Sequence, residues 1–311
     1  MESICNMNLA RPPNGVVAVV VTYFPELVKL NALLESLLQQ VDKVVMVDNG
    51  SERNLNAWVK NGEIKNLFAI MLGNNYGLAK AQNVGITQAR ELGAKFILLS
   101  DQDSFPSKDM VLKLLMAVKQ KQLEGNLVAA VGPKYSDAMQ GGLKPFVRVS
   151  WLRVHRLDCN HSGQIIQVNH LIASGSLVPV SSLDVIGGML EPLFIDYVDT
   201  EWCLRAWRKG YRLYGVCNAT MRHALGDEPN YFFGRYVPVH KPIRHYYMFR
   251  NAVWLYQQGW IPFNWKFATG LRLFMKFLYF SIIHPGRLAQ TIMILRGVWD
   301  GMVKRMGKYE L

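Results

Sequence analysis

Two carboxylates separated by one residue, Asp101 and Asp103, close an apolar run in the segment FILLSDQD. Alternate residues of an extended chain share a face, so a strand ending Asp-X-Asp aims both side chains at one place, where hard carboxylate oxygens suit a divalent cation and the diphosphate it binds. The same pattern arises where a strand runs into an acidic turn, so the pair gains meaning only from its company. Three other polar clusters supply that company. Asp48-Asn49-Gly50-Ser51 closes a short apolar run, although these are also ordinary turn residues. Gly73-Asn74-Asn75-Tyr76-Gly77 follows another. Asp196, Asp199 and Glu201 open a helical pattern, at a helix end where the dipole favours carboxylates as caps.

The elements that must position these clusters are readable from periodicity. Residues 16–22, VVAVVVT, form a β-branched run expected of a strand buried on both faces. After Pro25, Leu27, Leu30, Leu33, Leu34, Leu37 and Leu38 recur at helical spacing. Strands over 43–47, 67–72 and 96–100 and a helix over 78–92 complete a βαβαβαβ pattern. It predicts an α/β fold with a doubly wound, mostly parallel sheet flanked by helices. Open sheets of this kind bind ligands beyond the carboxyl ends of their strands, where three of the clusters stand. Thr22-Tyr23-Phe24-Pro25 follows the first strand in place of GxGxxG, which removes the usual phosphate cradle of a dinucleotide oxidoreductase.

Beyond Asp103 the pattern predicts a helix over 108–122 and a strand over 127–131. Residues 135–167 read as a variable loop region over the site, and His155 and His161 within it receive no role. Residues 170–179 read as a strand interrupted at Ser174-Gly175-Ser176, where a missing side chain permits close approach of a ligand or another backbone. Leu204 and Trp207 fall where a helix over the following acidic stretch would face the core.

Half of the 311 residues are hydrophobic, enough for a sizeable core. The net charge is +12, and +9 of it lies between Lys241 and Leu311, where 11 Lys and Arg face 2 Asp and Glu. Such asymmetry points to nucleic acid or to an anionic membrane surface. In residues 265–283, Leu271, Phe274, Phe277, Leu278 and Ile282 share one helical face and Arg272 and Lys276 another. Charges such as these inside so short a stretch argue against a spanning helix and favour an interfacial one. A second basic helix is expected over 287–308 with Ile292, Leu295, Trp299 and Val303 inward. Clustering of the apolar residues on one face argues against stacked bases, so no nucleic acid is expected. The competing reading is a helical pair packed on the core or forming a homo-oligomer interface. Cys5, Cys159, Cys203 and Cys217 are scattered without CxxC spacing and read as free thiols in a reducing compartment. The first residues, MESICNMNLARPPNG, lack the pattern of a secretory signal, so catalysis is expected in the cytoplasm.

Taken in order, VVVTYFP, VMVDNGS, GNNYGLAKAQNVG, ILLSDQD, ASGSLVP, FIDYVDTEWCLRA and YYMFRN resemble glycosyltransferase family 2, and within it the bacterial rhamnosyltransferase-like members. The similarity runs from Val16 to Asn251. It implies an N-terminal tail (1–15), a GT-A domain (16–251) and a C-terminal helical, membrane-associated region (252–311). It also implies a nucleotide-sugar donor, dTDP-rhamnose foremost, a divalent cation (Mn²⁺ or Mg²⁺), and inversion at the anomeric carbon. The acceptor it suggests is a lipid-linked oligosaccharide of a surface polysaccharide, such as O-antigen, at the cytoplasmic face of the inner membrane. Carried over by motif, Thr22, Asp48, Asn75, Gly77 and Asn83 line the nucleotide site, with Asp48 on the base. Asp101 lies on the nucleotide side and Asp103 holds the metal. His223 matches a late histidine that completes the metal shell or touches the diphosphate, and Arg250 matches an arginine that steadies phosphate. Asp199 matches the catalytic base, the second residue of a Glu-Asp pair whose first position here is Val198. That departure leaves Asp196 and Glu201 as competing carboxylates, and keeps open a non-catalytic sugar- or nucleotide-binding role in a polysaccharide assembly complex.

Overall fold

The structure, a computed structural model, describes residues 15–51, 55, 57–59, 64–137, 142–150, 153–223, 229–232, 235–238, 241–284 and 286–310. Its centre is a sheet of β1 (Val16–Thr22), β2 (Lys43–Asp48), β3 (Leu67–Met71), β4 (Phe96–Asp101), β5 (Ser104–Pro106), β6 (Val128–Asp137), β9 (Ile165–Val168), β10 (Leu177–Pro179) and β11 (Arg212–His223). The order is β3-β2-β1-β4-β10-β6-β11-β5, with β9 also on β11. β1, β2, β3 and β4 run parallel, as do β6 and β11. β10, β5 and β9 run antiparallel to their neighbours. The expected mostly parallel α/β sheet is therefore present, with antiparallel pieces toward one side.

The alternation of side chains along β1 divides the core into two layers, because successive residues of a strand point to opposite faces. Val17, Val19 and Val21 pack with Ala79, Ala81, Ile86 and Ala89 of α2 (Leu78–Glu91). Val16, Ala18 and Val20 pack with the leucines of α1 (Leu27–Leu38) and with Leu114 and Val118 of α3 (Met110–Leu123). Burial on both faces is what the unbroken valine run demanded. β1 leads to β2 on one side and has β4 on the other, so the chain changes direction between β1 and β4. The register sets Thr22 beside Asp48 and Val21 beside Asp101 at the carboxyl edge.

The region read as a loop over 135–167 contains more structure than expected. β6 extends to Asp137, and β7 (Phe146–Ser150) pairs with β8 (Arg153–Leu157) as an antiparallel ribbon before β9. The alternation in FVRVS and RVHRL is real but short and largely polar, and the ribbon's anchor is tertiary. Phe146 is buried against β11, in space that a side chain on Gly215 would fill. The cysteine expectation also needs correction. Cys159 and Cys217 are joined by a disulfide, Cys203 is free and buried, and Cys5 lies outside the described residues. Pairing across 58 residues leaves no spacing signature, because the β9–β11 ladder is what brings the two together.

α4 (Val180–Ile186) and α5 (Val198–Arg208) flank the sheet. Residues Pro229–Phe232 (β12) and Arg235–Pro238 (β13) form a separate two-stranded ribbon. The remaining helices are α6 (Pro242–Tyr256), α7 (Phe263–Leu278), which continues as a π-helical turn over Tyr279–Ile283, and α8 (Arg287–Met302). α8 packs on α6, and here an expectation is reversed. Ile292, Leu295, Trp299 and Val303, expected inward, are 48–59% exposed. Gln290, Ile294, Gly297, Asp300 and Gly301 face inward instead. A Cβ on Gly297 would strike the Tyr246 carbonyl oxygen, and one on Gly301 the Arg250 carbonyl oxygen, so glycine sets the close approach of the two helices. The buried polar residues are paired across the contact. The Tyr246 hydroxyl donates to Asp300 Oδ2 at 2.8 Å, and His245 Nδ1 lies 2.6 Å from Gln290 Oε1. Small and hydrogen-bonded residues make this interface, so the apolar stripe is left on the outside.

Candidate active site

A cleft of about 560 Å³ opens at the carboxyl edge of β1, β2 and β4. Thr22, Asn75, Gly77, Asp101, Asp103 and Asp199 line it, bringing together residues spread over 177 positions of sequence. Asn49, Gln102, Asp196 and Arg244 line it as well.

The loops that form its floor are laced to one another. Asp48 is 3% exposed, and its carboxylate accepts from the Thr22 hydroxyl (2.9 Å), the backbone N–H groups of Gly50 and Ser51, and the Ser51 hydroxyl. It therefore sits beneath the cleft wall, tying β1 to the β2 turn. Asn49 donates to Asn75 Oδ1 and accepts from the Tyr76 N–H, while Asn75 Oδ1 also accepts from the Gly77 N–H. Gly77 has φ +89°, and a Cβ there would collide with Phe194 backbone, so this position is restricted to glycine by conformation and by space. Gln102, the middle residue of Asp-X-Asp, exchanges hydrogen bonds with the Tyr23 backbone.

The Ser174-Gly175-Ser176 interruption serves the aspartate pair. Ser174 Oγ accepts from the Asp101 N–H at 3.0 Å and lies 2.6 Å from Ser104 Oγ, bracketing the turn that carries Asp101 and Asp103. The close approach expected there is to neighbouring protein, since Gly175 packs against Pro133 and Met221. Asp101 and Asp103 line one cleft, and their hard carboxylate oxygens are of the kind that would suit a magnesium- or manganese-like ion and its charge neutralisation on phosphate. Among the described residues, no group of three or more His, Cys, Asp and Glu side chains forms a closed metal cage. The backbone of His223 ends β11 beside Ser104, but its side chain lies outside the described residues.

Across the cleft, the three competing carboxylates separate. Glu201 is 2% exposed and bound by Arg205 at 2.7 and 2.8 Å, away from the cleft lining. Asp196 lines the cleft and pairs with Arg244 Nε at 3.3 Å. Asp199 lines the cleft and lies 3.5 Å from His170 Nε2, with its Oδ1 accepting from the Thr200 N–H at 2.7 Å. Burial pushes the Asp199 carboxyl up, but the His170 charge and the Thr200 hydrogen bonds outweigh it and hold the pKa below the ordinary carboxylate value. His170 mirrors this: burial pushes the imidazole down, and Asp199 more than restores it, leaving it raised. No local signal marked His170, which precedes the serine-glycine interruption and meets Asp199 only in three dimensions.

The segment before α5 is held in an unusual conformation. Phe194, Asp196 and Tyr197 all have φ between 61° and 65°, a left-handed backbone that costs a non-glycine residue about 1 kcal/mol or more. Buried Asn251 donates to the carbonyls of Leu193, Ile195 and Asp196, and Arg250 to those of Leu193, Pro192 and Gly307. Arg250 is wholly buried and supports the cleft wall from behind. Arg244, two turns earlier on the same helix, is the guanidinium in the lining. Asn83 likewise stands outside the lining. It bonds the Met189 backbone in both directions and Glu191, fixing α2 to the strained segment's approach.

The model for glycosyl transferase family 2 matches residues 18–173, half of the chain. The chain belongs to glycosyltransferase family 2. It is 34% identical over 280 residues to dTDP-rhamnosyl transferase RfbF of Shigella flexneri, covering 89% of each chain. It is 26% identical over 254 residues to galactofuranosyltransferase GlfT1 of Mycolicibacterium smegmatis, covering 74% of this chain and 82% of that one. Among solved structures, S. aureus TarS 1–349 in complex with UDP-GlcNAc superposes with a TM-score of 0.57 at 18% identity, over 94% of this chain and 82% of that one. GalNAc-T7 with UDP, GalNAc and Mn²⁺ gives 0.59 at 11%, over 93% of this chain and 56% of that one. These structural likenesses establish the GT-A fold of this family-2 chain. The family match ends at residue 173, so Asp199 and the three C-terminal helices lie beyond it.

Proposed function

We propose that this family-2 enzyme transfers L-rhamnose from dTDP-rhamnose, with inversion, to a hydroxyl of a lipid-linked saccharide of a growing surface polysaccharide. The observation that carries the donor is the 34% identity to a dTDP-rhamnosyl transferase across 89% of both chains. In this reading the nucleotide lies over β1 and β2, against Thr22, Asn49 and Asn75. Asp101 and Asp103 hold a divalent cation, Mn²⁺ or Mg²⁺, which when bound neutralises charge on the diphosphate. Arg244 adds a second positive group from the cleft wall.

Asp199 accepts the proton of the attacking hydroxyl. As that oxygen bonds to the anomeric carbon, the carbon–oxygen bond on the opposite face breaks and its electron pair leaves with dTDP. The lowered pKa keeps Asp199 ionised at neutral pH, and a carboxylate hydrogen-bonded to the hydroxyl acts as general base in the transition state. His170 and Thr200 hold it in place and preserve its charge.

Attachment to the cytoplasmic face of the inner membrane is part of the same proposal. No described helix is long and apolar enough to cross a membrane. α7 leaves Phe267, Leu271 and Phe274 exposed, and α8 leaves Leu288, Ile292 and Trp299, at 49–73%. Basic helices with exposed apolar stripes suit the interface of an anionic bilayer.

Incubation with dTDP-rhamnose and other nucleotide sugars, with Mn²⁺, Mg²⁺ or chelator, tests the proposal. Release of dTDP from dTDP-rhamnose alone, dependent on added cation, is the expected result. Turnover of a different sugar nucleotide in preference to it overturns the donor assignment.

A further inference from the structure

Three cations gather where α7 lies against α6. Lys276 Nζ lies 3.4 Å from Met248 Sδ. Met248 follows Arg244 by one turn of α6, and Arg272 precedes Lys276 by one turn of α7, so side chains four apart on each helix bring the three cationic heads together. Arg244 is taken up by Asp196, at 3.3 Å. Among the described residues, Arg272 and Lys276 have no carboxylate partner. We propose that these two bind the phosphate of a membrane lipid whose head carries two negative charges, a phosphomonoester or a diphosphate. The inference rests on the membrane reading above and adds to it a selective headgroup site.

The charge count favours such a head. A phosphodiester brings one negative charge to two uncompensated cations, whereas a terminal phosphate brings about 1.5 to 2 at neutral pH. Lys276 is the more telling of the pair, because it is half-buried while Arg272 is open to solvent. Burial pushes the Lys276 pKa down, and the charges of Arg244 and Arg272 push it further against the opposing pull of Asp196. Holding a desolvated ammonium beside two guanidinium groups is unfavourable, and a bound anion offsets that repulsion.

The position fits a lipid head. At about 100° per residue, Leu271, Phe274 and Met275 form an exposed stripe on α7, and Leu273 is buried with Phe249 and Ala252 of α6. Arg272 and Lys276 fall between these two faces, where the long basic side chains of an interfacial helix reach the phosphate level of a bilayer. The stripe by itself suits any apolar surface; the cations at its border specify phosphate. Arg244 and Asp196 also line the donor cleft. Burial pushes the hydroxyl of cleft-lining Tyr197 up and the Arg272 charge opposes it, so the cluster reaches the same wall. A lipid phosphate bound here ties the wall of the donor cleft to the membrane surface.

The test is co-sedimentation of the full-length protein with phosphatidylcholine vesicles carrying phosphatidic acid, an isoprenyl phosphate or phosphatidylglycerol, matched in surface charge. Tighter binding to one or both of the first two than to phosphatidylglycerol is expected, and the preferred lipid identifies the source of the phosphate. Arg272→Gln combined with Lys276→Met is expected to weaken that binding by about thirty-fold and to remove the preference. Arg287→Gln combined with Lys308→Gln removes the same charge at two exposed positions elsewhere in the tail and should keep the preference. Equal binding of the three anionic vesicles, a preference that survives the first pair of substitutions, or an equal loss with the second pair overturns the proposal and leaves attachment through the apolar stripe standing. Failure to bind any of the vesicles overturns the membrane reading together with it. Should the first pair fail to fold, Arg272→Gln alone, at an exposed residue, is expected to weaken binding by about five-fold, and unchanged affinity there overturns the site.

Discussion

His170 Nε2 stands 3.5 Å from Asp199 Oδ2, and Thr200 Oγ1 lies 3.2 Å from the same nitrogen and 3.3 Å from Asp199 Oδ1. The carboxylate is thus fixed in rotation and held charged before any substrate arrives. Asp199→Asn keeps the shape and removes the basicity. Its kcat for rhamnosyl transfer should fall by about 10³-fold, while dTDP binding by calorimetry stays at the wild-type value.

His170→Ala separates position from charge. Without the imidazolium, only the Thr200 hydrogen bonds oppose burial at Asp199, so its pKa rises and the acid limb of the kcat–pH profile moves to higher pH. His170→Ala should also lose about ten-fold in kcat at neutral pH. A profile that drops in height without moving would assign His170 to packing.

The pair also makes stability depend on pH. Asp199 has a folded pKa below its ordinary 3.8, so its contribution is present above 3.8 and lost as pH falls through the folded value. His170 has a folded pKa above its ordinary 6.5, so its contribution is complete below 6.5 and lost as pH rises through the folded value. The two overlap between 3.8 and 6.5. Comparing thermal unfolding of the wild type with His170→Ala across pH, the difference should be largest in that window and shrink on both sides.

Asp103→Ala tests the cation. In calorimetric titrations the wild type should bind dTDP more tightly with Mn²⁺ or Mg²⁺ than with chelator, by about ten-fold or more. The variant should bind equally under both conditions. A metal-dependent increment that survives the substitution would move the cation elsewhere.

Arg250→Ala addresses support rather than contact. Its guanidinium serves three backbone carbonyls, and Tyr246 and Tyr247 stack beneath it at 5.5 and 4.9 Å. Removing it takes the Arg250 donor from the Gly307 carbonyl, weakens the bonding of the Pro192 and Leu193 carbonyls and empties a fully buried site, and should cost on the order of 3 kcal/mol in chemical denaturation. Arg244→Ala, at an exposed lining residue, should leave stability near wild type and weaken dTDP binding. The reverse pattern would exchange their roles.

Co-sedimentation with vesicles containing phosphatidylglycerol tests the outer surface. Phe274→Asp combined with Trp299→Asp should abolish binding without changing dTDP affinity, since both side chains point away from the core. Binding that persists would leave the stripe as a contact between copies of the chain.

The sequence by itself determined the sheet and the address of the chemistry. The valine run of β1 can be satisfied only by burial on both faces. Polar clusters after β1, β2, β3 and β4 had to gather at one edge, because parallel strands end on the same side. Asp-X-Asp was legible for the same local reason. What only the tertiary structure decided depends on contacts between distant segments. Asp48 and Arg250 read as ligand contacts from their motifs; in the fold Asp48 accepts from Thr22, Gly50 and Ser51, and Arg250 donates to Asn251 and to the carbonyls of Pro192, Leu193 and Gly307, contacts that no motif displays. Arg244 and His170 carry no local mark and become site residues only when α6 and the segment before β10 are packed. Periodicity identified the stripe on α8 but not its side, because two glycines and a few paired polar groups let α6 and α8 approach more closely than leucines would allow. The Asp-X-Asp pair was visible in eight residues and Asp199 in a motif, but the histidine that stands 3.5 Å from Asp199 required the whole fold, because the two are brought together only by the packing of distant segments.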